Sequence, residues 1–110
     1  WREKATQMLE KMQASAAQFP LSFSKWATAM LHEATPPVEI AIVGGNALEK
    51  AIELQKSFLP NKVMAASQRP NNTISLLREK EGGTEALIYC CRDFACQRPV
   101  VSLKEFWEML

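Results

Sequence analysis

The sequence predicts an α/β fold, namely a small Rossmann-like sheet of three or four parallel or mixed strands flanked by helices and preceded by an αα-hairpin. Two observations predict it. Before residue 35 apolar residues recur every three or four positions, which indicates helices. After residue 37 short β-branched runs alternate with helical segments, which indicates strands within an α/β layer. The 110 residues, 47% of them apolar, suit one globular domain with a short appendage. We therefore divide the chain into residues 1–35 and residues 37–110.

Two helices joined by a short turn are predicted in residues 1–35. The first runs over residues 2–18 and ends before Phe19-Pro20. Ser22 is expected to cap the second helix, which ends before Pro36-Pro37 because proline cannot continue a helix. The second helix carries an apolar stripe formed by Phe23, Trp26, Ala27, Met30 and Leu31. Such a hairpin needs a partner surface to cover its large apolar side chains.

A strand–helix–strand unit is predicted from residue 38 to residue 66. Residues 38–43 are short, β-branched and closed by Gly44-Gly45, which is typical of a buried strand. Asn46 and Glu49 are expected to form a capping box for a helix over residues 47–59. Residues 62–66 are the next predicted strand. A unit of this length makes its two strands parallel.

The remainder of the chain supplies a third strand and a final helix. Residues 85–90 are predicted to be a strand, so we expect residues 38–43 in the middle of the sheet with 62–66 and 85–90 on either side. Residues 73–80 fit either an edge strand or one irregular turn of helix. A polar loop over 92–98 precedes a last short helix, which carries Phe106, Trp107 and Leu110. Its predicted capping box consists of Ser102 and Glu105.

Charge and composition exclude several classes of partner. Thirteen Lys plus Arg against twelve Asp plus Glu leave a net charge of +1, too weak to predict attraction to nucleic acid or to membranes. No apolar run approaches the roughly 18–20 residues that a bilayer requires. We expect a soluble protein with no nucleic-acid partner, no membrane partner and no cofactor.

Three cysteines, Cys90, Cys91 and Cys96, fall within seven positions. An odd number packed so tightly is a poor disulfide framework, so we expect reduced thiols and a cytoplasmic location. Four residues separate Cys91 from Cys96, which fits a redox pair, half of a metal site, or two small apolar groups that brace a loop. Arg92 would favour a thiolate in a redox pair.

A zinc site is not expected in this chain. Zinc usually takes four ligands, and only Cys90 and His32 are available to complete the pair of Cys91 and Cys96. Cys90 is poorly placed, because adjacent residues of a strand point to opposite faces. His32 lies near the end of a helix, where a histidine can interact with the terminal carbonyls.

Gly44, Gly45 and Asn46 form a candidate site for binding a phosphate or nucleotide. They lie between a strand and a capped helix, where free backbone N–H groups and the helix dipole favour an anion. The stretch lacks both the G-x-G-x-x-G pattern and a Walker A lysine. A tight turn accounts for the two glycines without a ligand.

The segment over residues 89–100 carries a resemblance to a known family. An aromatic strand residue, Tyr89, leads into Cys91, four residues separate this cysteine from Cys96, and Pro99 follows. This arrangement resembles the C-terminal signature of the YyaL-like family, large thioredoxin-domain-containing proteins related to the spermatogenesis-associated thioredoxin-like protein. The pieces upstream agree with it: Phe19-Pro20 and Trp26 before the proline pair, and a strand from Val38 to Gly44 that ends in glycine.

The resemblance implies a three-part parent protein, in which a thioredoxin-like domain and an (α/α) barrel precede a small C-terminal segment. Residues 1–35 would then be the last helices of the barrel and residues 37–110 the C-terminal α/β domain. The start at Trp1, without a methionine, also suggests a fragment. We expect a non-catalytic accessory domain that caps the barrel, is not an enzyme by itself, and has the remaining parent domains as partners. The alternative is a thiol–disulfide redox module that uses Cys91 and Cys96.

Overall fold

The computed structural model describes residues 1–93 and 95–110, and Phe94, within the predicted polar loop, lies outside the described residues. Two compact units make up the chain, Trp1–Pro36 and Pro37–Leu110. The first is a pair of helices and the second an α/β layer with a four-stranded mixed sheet. The predicted α/β fold with a preceding αα-hairpin is therefore confirmed. Within the described residues no helix is both long and apolar enough to cross a membrane.

The first unit consists of α1 (Arg2–Gln18) and α2 (Ser24–Ala34). A hydrogen bond of 3.2 Å from Thr6 Oγ1 to the Glu33 carboxylate joins the two helices. The predicted Ser22 cap is wrong, because α2 begins at Ser24 with Phe23 as its N-cap residue. The Phe23 N–H donates to the Phe19 carbonyl at 3.1 Å, so Ser22 is held inside the connecting turn.

The sheet of the second unit has the strand order β2-β1-β3-β4. Its strands are β1 (Val38–Val43), β2 (Lys62–Ser67), β3 (Leu87–Arg92) and β4 (Ala95–Cys96). β1 pairs in parallel with β2 and antiparallel with β3, which confirms its predicted place in the middle of the sheet. β3 begins two residues later than predicted, because the Ala86 N–H donates to the Asn46 side chain instead of extending the ladder.

One face of the sheet carries the main core, which α3 (Ala47–Gln55) and α4 (Leu103–Glu108) cover. Its buried residues are apolar or thiol-bearing and comprise Val38, Ile40, Ile42, Ala47, Ala51, Leu54, Ala86, Ile88, Cys90 and Phe106. α3 ends four residues before the predicted Leu59. The Lys56 and Ser57 N–H groups bond to carbonyls three residues back, which tightens and ends the last turn.

The opposite face carries a smaller cluster, in which Ala41, Val43 and Leu77 are buried. Leu77 belongs to a single 3-10 turn, Ser75–Leu77, so of the two interpretations of residues 73–80 the irregular helical turn is confirmed and the edge strand is wrong. The Asn71 side-chain oxygen accepts hydrogen bonds from the backbone N–H groups just before this turn. The leucines of this turn therefore pack on the face of the sheet that α3 and α4 do not cover.

Two sets of hydrogen bonds stabilise the α/β unit, one at the start of α4 and one at Lys50 of α3. The predicted capping box of α4 is confirmed: the Ser102 hydroxyl accepts from the Glu105 N–H at 3.2 Å, and the Ser102 N–H donates to the Glu105 carboxylate at 3.1 Å. Hydrogen bonds from Ser102 hold the pKa of Glu105 below its ordinary value. Lys50 Nζ donates to the carbonyls of Ala86 and Val101, so one α3 side chain ties together two segments distant in sequence.

Candidate functional site

Cys91 and Cys96 are joined by a disulfide at the edge of the sheet. They are directly opposite each other in the antiparallel pair of β3 and β4, with their Cα atoms 3.9 Å apart. The prediction that all three cysteines are reduced is therefore wrong for these two. The chain reverses after Arg92, and Asp93 adopts a left-handed φ of 49°, which aspartate tolerates better than most residues. The reversal brings Cys96 back beside Cys91.

The two sulfur-bearing residues differ in access to solvent. Cys91 is 1% exposed, whereas Cys96 is exposed. Reagents from solution therefore meet Cys96 first. In an exchange reaction the attacked sulfur would belong to Cys96 and the departing sulfur to Cys91.

Cys90 is a free thiol in the main core on the other face of the sheet. This position confirms that Cys90 and Cys91 point to opposite faces and that Cys90 is an ordinary buried strand residue. Burial raises the pKa of the Cys90 thiol, and the nearby Arg92 charge lowers it by a smaller amount. The raised pKa and the burial both disfavour the thiolate form of Cys90.

A row of four cross-strand neighbours runs across the sheet beneath a small cavity. Val63 on β2 is opposite Glu39 on β1, Glu39 is opposite Cys91 on β3, and Cys91 is opposite Cys96 on β4. Residues in register share a face of the sheet, and all four line the cavity, whose volume is about 180 Å³. The remaining lining residues, Ser75, Leu76 and Lys80, come from the 3-10 turn and the segment after it.

The cavity has one acidic and one basic wall. Glu39 is the single charged residue of the central strand and is half-buried. Lys80 Nζ lies 5.8 Å from the ring centroid of Tyr89, two residues before Cys91 on the same face. The Tyr89 hydroxyl in turn donates to the Glu81 carbonyl at 2.8 Å, which fixes the ring beneath Lys80.

Glu39 and Lys80 were not predicted from the sequence as site residues. A signal for Glu39 was present, because a charged residue inside an otherwise apolar strand costs free energy unless something compensates it. Lys80 gave no comparable signal, since it reaches the cavity only through the packing of the 3-10 turn on the sheet.

The turn over Gly44, Gly45 and Asn46 is used by the protein's own backbone. The Gly44 N–H donates to the Ser67 carbonyl at 3.0 Å and the Gly45 N–H to the Gly83 carbonyl at 2.9 Å. An anion at these two N–H groups would have to displace both contacts, so the geometry does not favour the phosphate hypothesis, which stays a prediction.

The predicted capping box of Asn46 and Glu49 is wrong. Asn46 is the N-cap residue of α3, but no cap hydrogen bond from its side chain is found within residues 1–93 and 95–110. Its Oδ1 atom accepts from the Ala86 N–H at 2.7 Å instead. The side chain therefore fastens the start of β3 to the turn, and does not satisfy the helix terminus.

No group of three or more His, Cys, Asp or Glu side chains among the described residues could hold a metal ion. His32 lies in the last turn of α2. Cys91 and Cys96 are occupied by their mutual bond. This edge of the sheet carries a disulfide beside a cavity that Glu39 and Lys80 line.

No protein-family model matches this sequence, and no curated protein or solved structure shows significant similarity to it. The resemblance of the segment from Cys91 to Pro99 stays a prediction.

Proposed function

We propose that residues 37–110 form a thiol–disulfide exchange module whose reactive pair is Cys91 and Cys96. One observation carries the proposal: the disulfide joins an exposed and a buried cysteine, and both line a cavity. A thiolate from solution attacks Cys96 Sγ and forms a new S–S bond, while Cys91 Sγ departs as a thiolate and takes a proton from water. A second thiol then attacks the mixed disulfide, which releases a small disulfide and leaves both cysteines reduced.

A cytoplasmic location is part of this proposal. In a compartment kept reducing by small thiols, protein disulfides are transient and are catalytic or redox-sensing. The pair would then cycle between its two states there, and the oxidised form seen in the structure would be one of them.

The proposal is tested by equilibrating the full chain in glutathione buffers of graded redox ratio, followed by alkylation and mass spectrometry. We expect Cys91 and Cys96 to convert together and reversibly while the far-UV circular dichroism spectrum stays unchanged. Cys90 should stay unmodified, because burial raises the pKa of its thiol. Cys96→Ser should abolish the conversion, and Cys90→Ala is the matched control that should leave it intact.

A purely structural disulfide would behave differently. Its cysteines would accept reductant only at denaturant concentrations that also unfold the sheet, and the two transitions would coincide. If reduction and unfolding coincided in this way, the proposal of an exchange function for this domain would be wrong.

As a second candidate, we propose a non-catalytic C-terminal accessory domain that caps the helical barrel of a larger thioredoxin-domain-containing protein. The observation that favours it is the poor burial within the first unit, where Ala16 is the only buried residue of residues 1–36, all of which are described. Its exposed large apolar side chains are Trp1, Met8, Phe19, Leu21 and Leu31. Isolated helices gain little stability without an apolar partner surface. The YyaL-like resemblance supports a barrel and a thioredoxin-like domain as that partner.

Hydrogen–deuterium exchange on the full chain tests this second candidate. We expect the amides of α1 and α2 to exchange at least about 100-fold faster than those of β1, because local opening free energies follow the density of buried apolar contacts. Protection of the two helices equal to that of β1 would show that the hairpin is complete by itself. The hairpin of α1 and α2 would then need no partner surface, which would contradict this second candidate.

A further inference from the structure

We propose that the cavity beside the disulfide binds a zwitterionic low-molecular-weight aminothiol of single-amino-acid size, such as free cysteine, as the small-molecule partner in exchange. This inference rests on the exchange function proposed above and adds the chemical class of the thiol. It is carried by the charges, the size and the placement of the cavity relative to the disulfide.

The charges of the cavity call for a ligand with both signs. Glu39 makes none of the side-chain hydrogen bonds found among the described residues, and the one ion pair there joins Lys50 to Glu85. The Glu39 carboxylate is half-buried and lines the cavity, so an ammonium group bound there would form a charge-assisted hydrogen bond with it. On the other wall the Lys80 ammonium, held over the Tyr89 ring, is placed to meet a carboxylate.

The volume of the cavity limits the ligand to a few heavy atoms. About 180 Å³ is smaller than the roughly 300–1,000 Å³ of pockets that hold drug-sized molecules. Val63 and Leu76 also line the cavity and offer apolar contact for a methylene group. A single amino acid with a thiol-bearing side chain has this size and this distribution of charged and apolar atoms.

The position of the disulfide completes the argument. Cys91 and Cys96 line the same cavity, so a thiol bound there is held beside the bond that it attacks. Holding reactants together in this way converts a bimolecular step into an effectively unimolecular one. Glu39 is directly opposite Cys91 in the sheet, so a ligand ammonium bound to Glu39 also counters the charge that develops on the departing Cys91 sulfur.

The test compares four thiols of different charge as reductants of the oxidised full chain: cysteine, cysteamine, 3-mercaptopropionate and 2-mercaptoethanol. Each rate constant is divided by that of the same thiol with a small-molecule disulfide, which corrects for intrinsic nucleophilicity. After this correction we expect cysteine to exceed neutral 2-mercaptoethanol by roughly tenfold or more, the effect of one or two hydrogen bonds between charged groups.

Two variants test whether the charged residues of the cavity cause the preference for cysteine among the four thiols. Glu39→Gln should remove the advantage of the two thiols that carry an ammonium group, cysteine and cysteamine. Lys80→Met should remove the advantage of cysteine over cysteamine and lower the rate of 3-mercaptopropionate. Matched controls are Glu49→Gln on α3 and Lys104→Met on α4, both exposed and outside the cavity, and both should leave all four ratios unchanged.

A further measurement uses only the unaltered chain, so the test does not depend on whether each variant folds. S-methylcysteine has the same charged groups and cannot exchange, so it should slow reduction of the unaltered chain by 2-mercaptoethanol, whereas its N-acetyl methyl ester should not. Equal corrected rates for all four thiols, with no inhibition, would overturn the aminothiol proposal and leave the exchange function standing. No reduction by any thiol in the folded state would remove the exchange function itself.

Discussion

Replacing Gly82 with alanine is expected to lower the free energy of unfolding of the α/β unit by about 3 kcal/mol or more. A Cβ atom on Gly82 would lie 1.7 Å from the Val43 carbonyl oxygen and 2.9 Å from the Gly44 Cα atom. Both atoms belong to the backbone at the end of the central strand, so neither can rotate away. The loop would have to leave β1, with loss of the packing between them. Urea denaturation followed by circular dichroism measures the change.

The neighbouring Gly83 supplies the matched control. A Cβ atom there meets nothing within 4 Å, so Gly83→Ala should be neutral or stabilise by about 0.4–1 kcal/mol through the reduced entropy of the unfolded chain. Similar losses for the two variants would mean that the close approach of Gly82 to β1 does not contribute to the stability of the fold.

Phe106→Ala is expected to cost about 3–5 kcal/mol, which is a large part of the stability of a domain of this size. Phe106 is 0% exposed and is the largest of the fully buried side chains among the described residues. Its ring meets that of Trp107 edge to face, with the centroids 5.3 Å apart. Truncation removes this contact and leaves a cavity between α4 and the sheet. The same urea titration measures the loss, with the slope checked for a change in cooperativity.

Phe58 is the control of the same residue type. Its side chain is 91% exposed, so Phe58→Ala should change the free energy of unfolding by no more than about 0.5 kcal/mol. If the two phenylalanine variants were equally stable, α4 would not close the main core in solution.

The elements that were predicted correctly are those whose signals lie within a few residues. The β-branched run of β1 and the Ser102–Glu105 capping box are local patterns, and both are confirmed. The Asn46 prediction was wrong because the Asn46 side chain bonds to the Ala86 N–H, 40 positions further on. A short stretch of sequence does not show that a donor far along the chain competes for the Asn46 side chain.

The candidate site was predictable only in part for the same reason. The spacing of Cys91 and Cys96 was enough to propose them as a pair, yet their bond depends on β4, which at two residues is too short to show an alternating pattern. The cavity itself depends on register, which places Glu39 opposite Cys91 and brings Val63 into the same row. Register between strands so far apart in sequence is set by the packing of the whole sheet.

The short span of the disulfide decides what its opening does to the fold. Cys91 and Cys96 are five positions apart, and in the chain-entropy model closing so small a loop stabilises a protein by only about 2 kcal/mol. Backbone hydrogen bonds pair β1 with β2 and with β3, and the disulfide spans neither of these two ladders. We therefore expect cleavage of the disulfide to free a few residues at one margin of the sheet and to leave the folding cooperativity of the rest intact. Both covalent states of the chain should then share a single architecture, so that a change between them would be a chemical event without refolding.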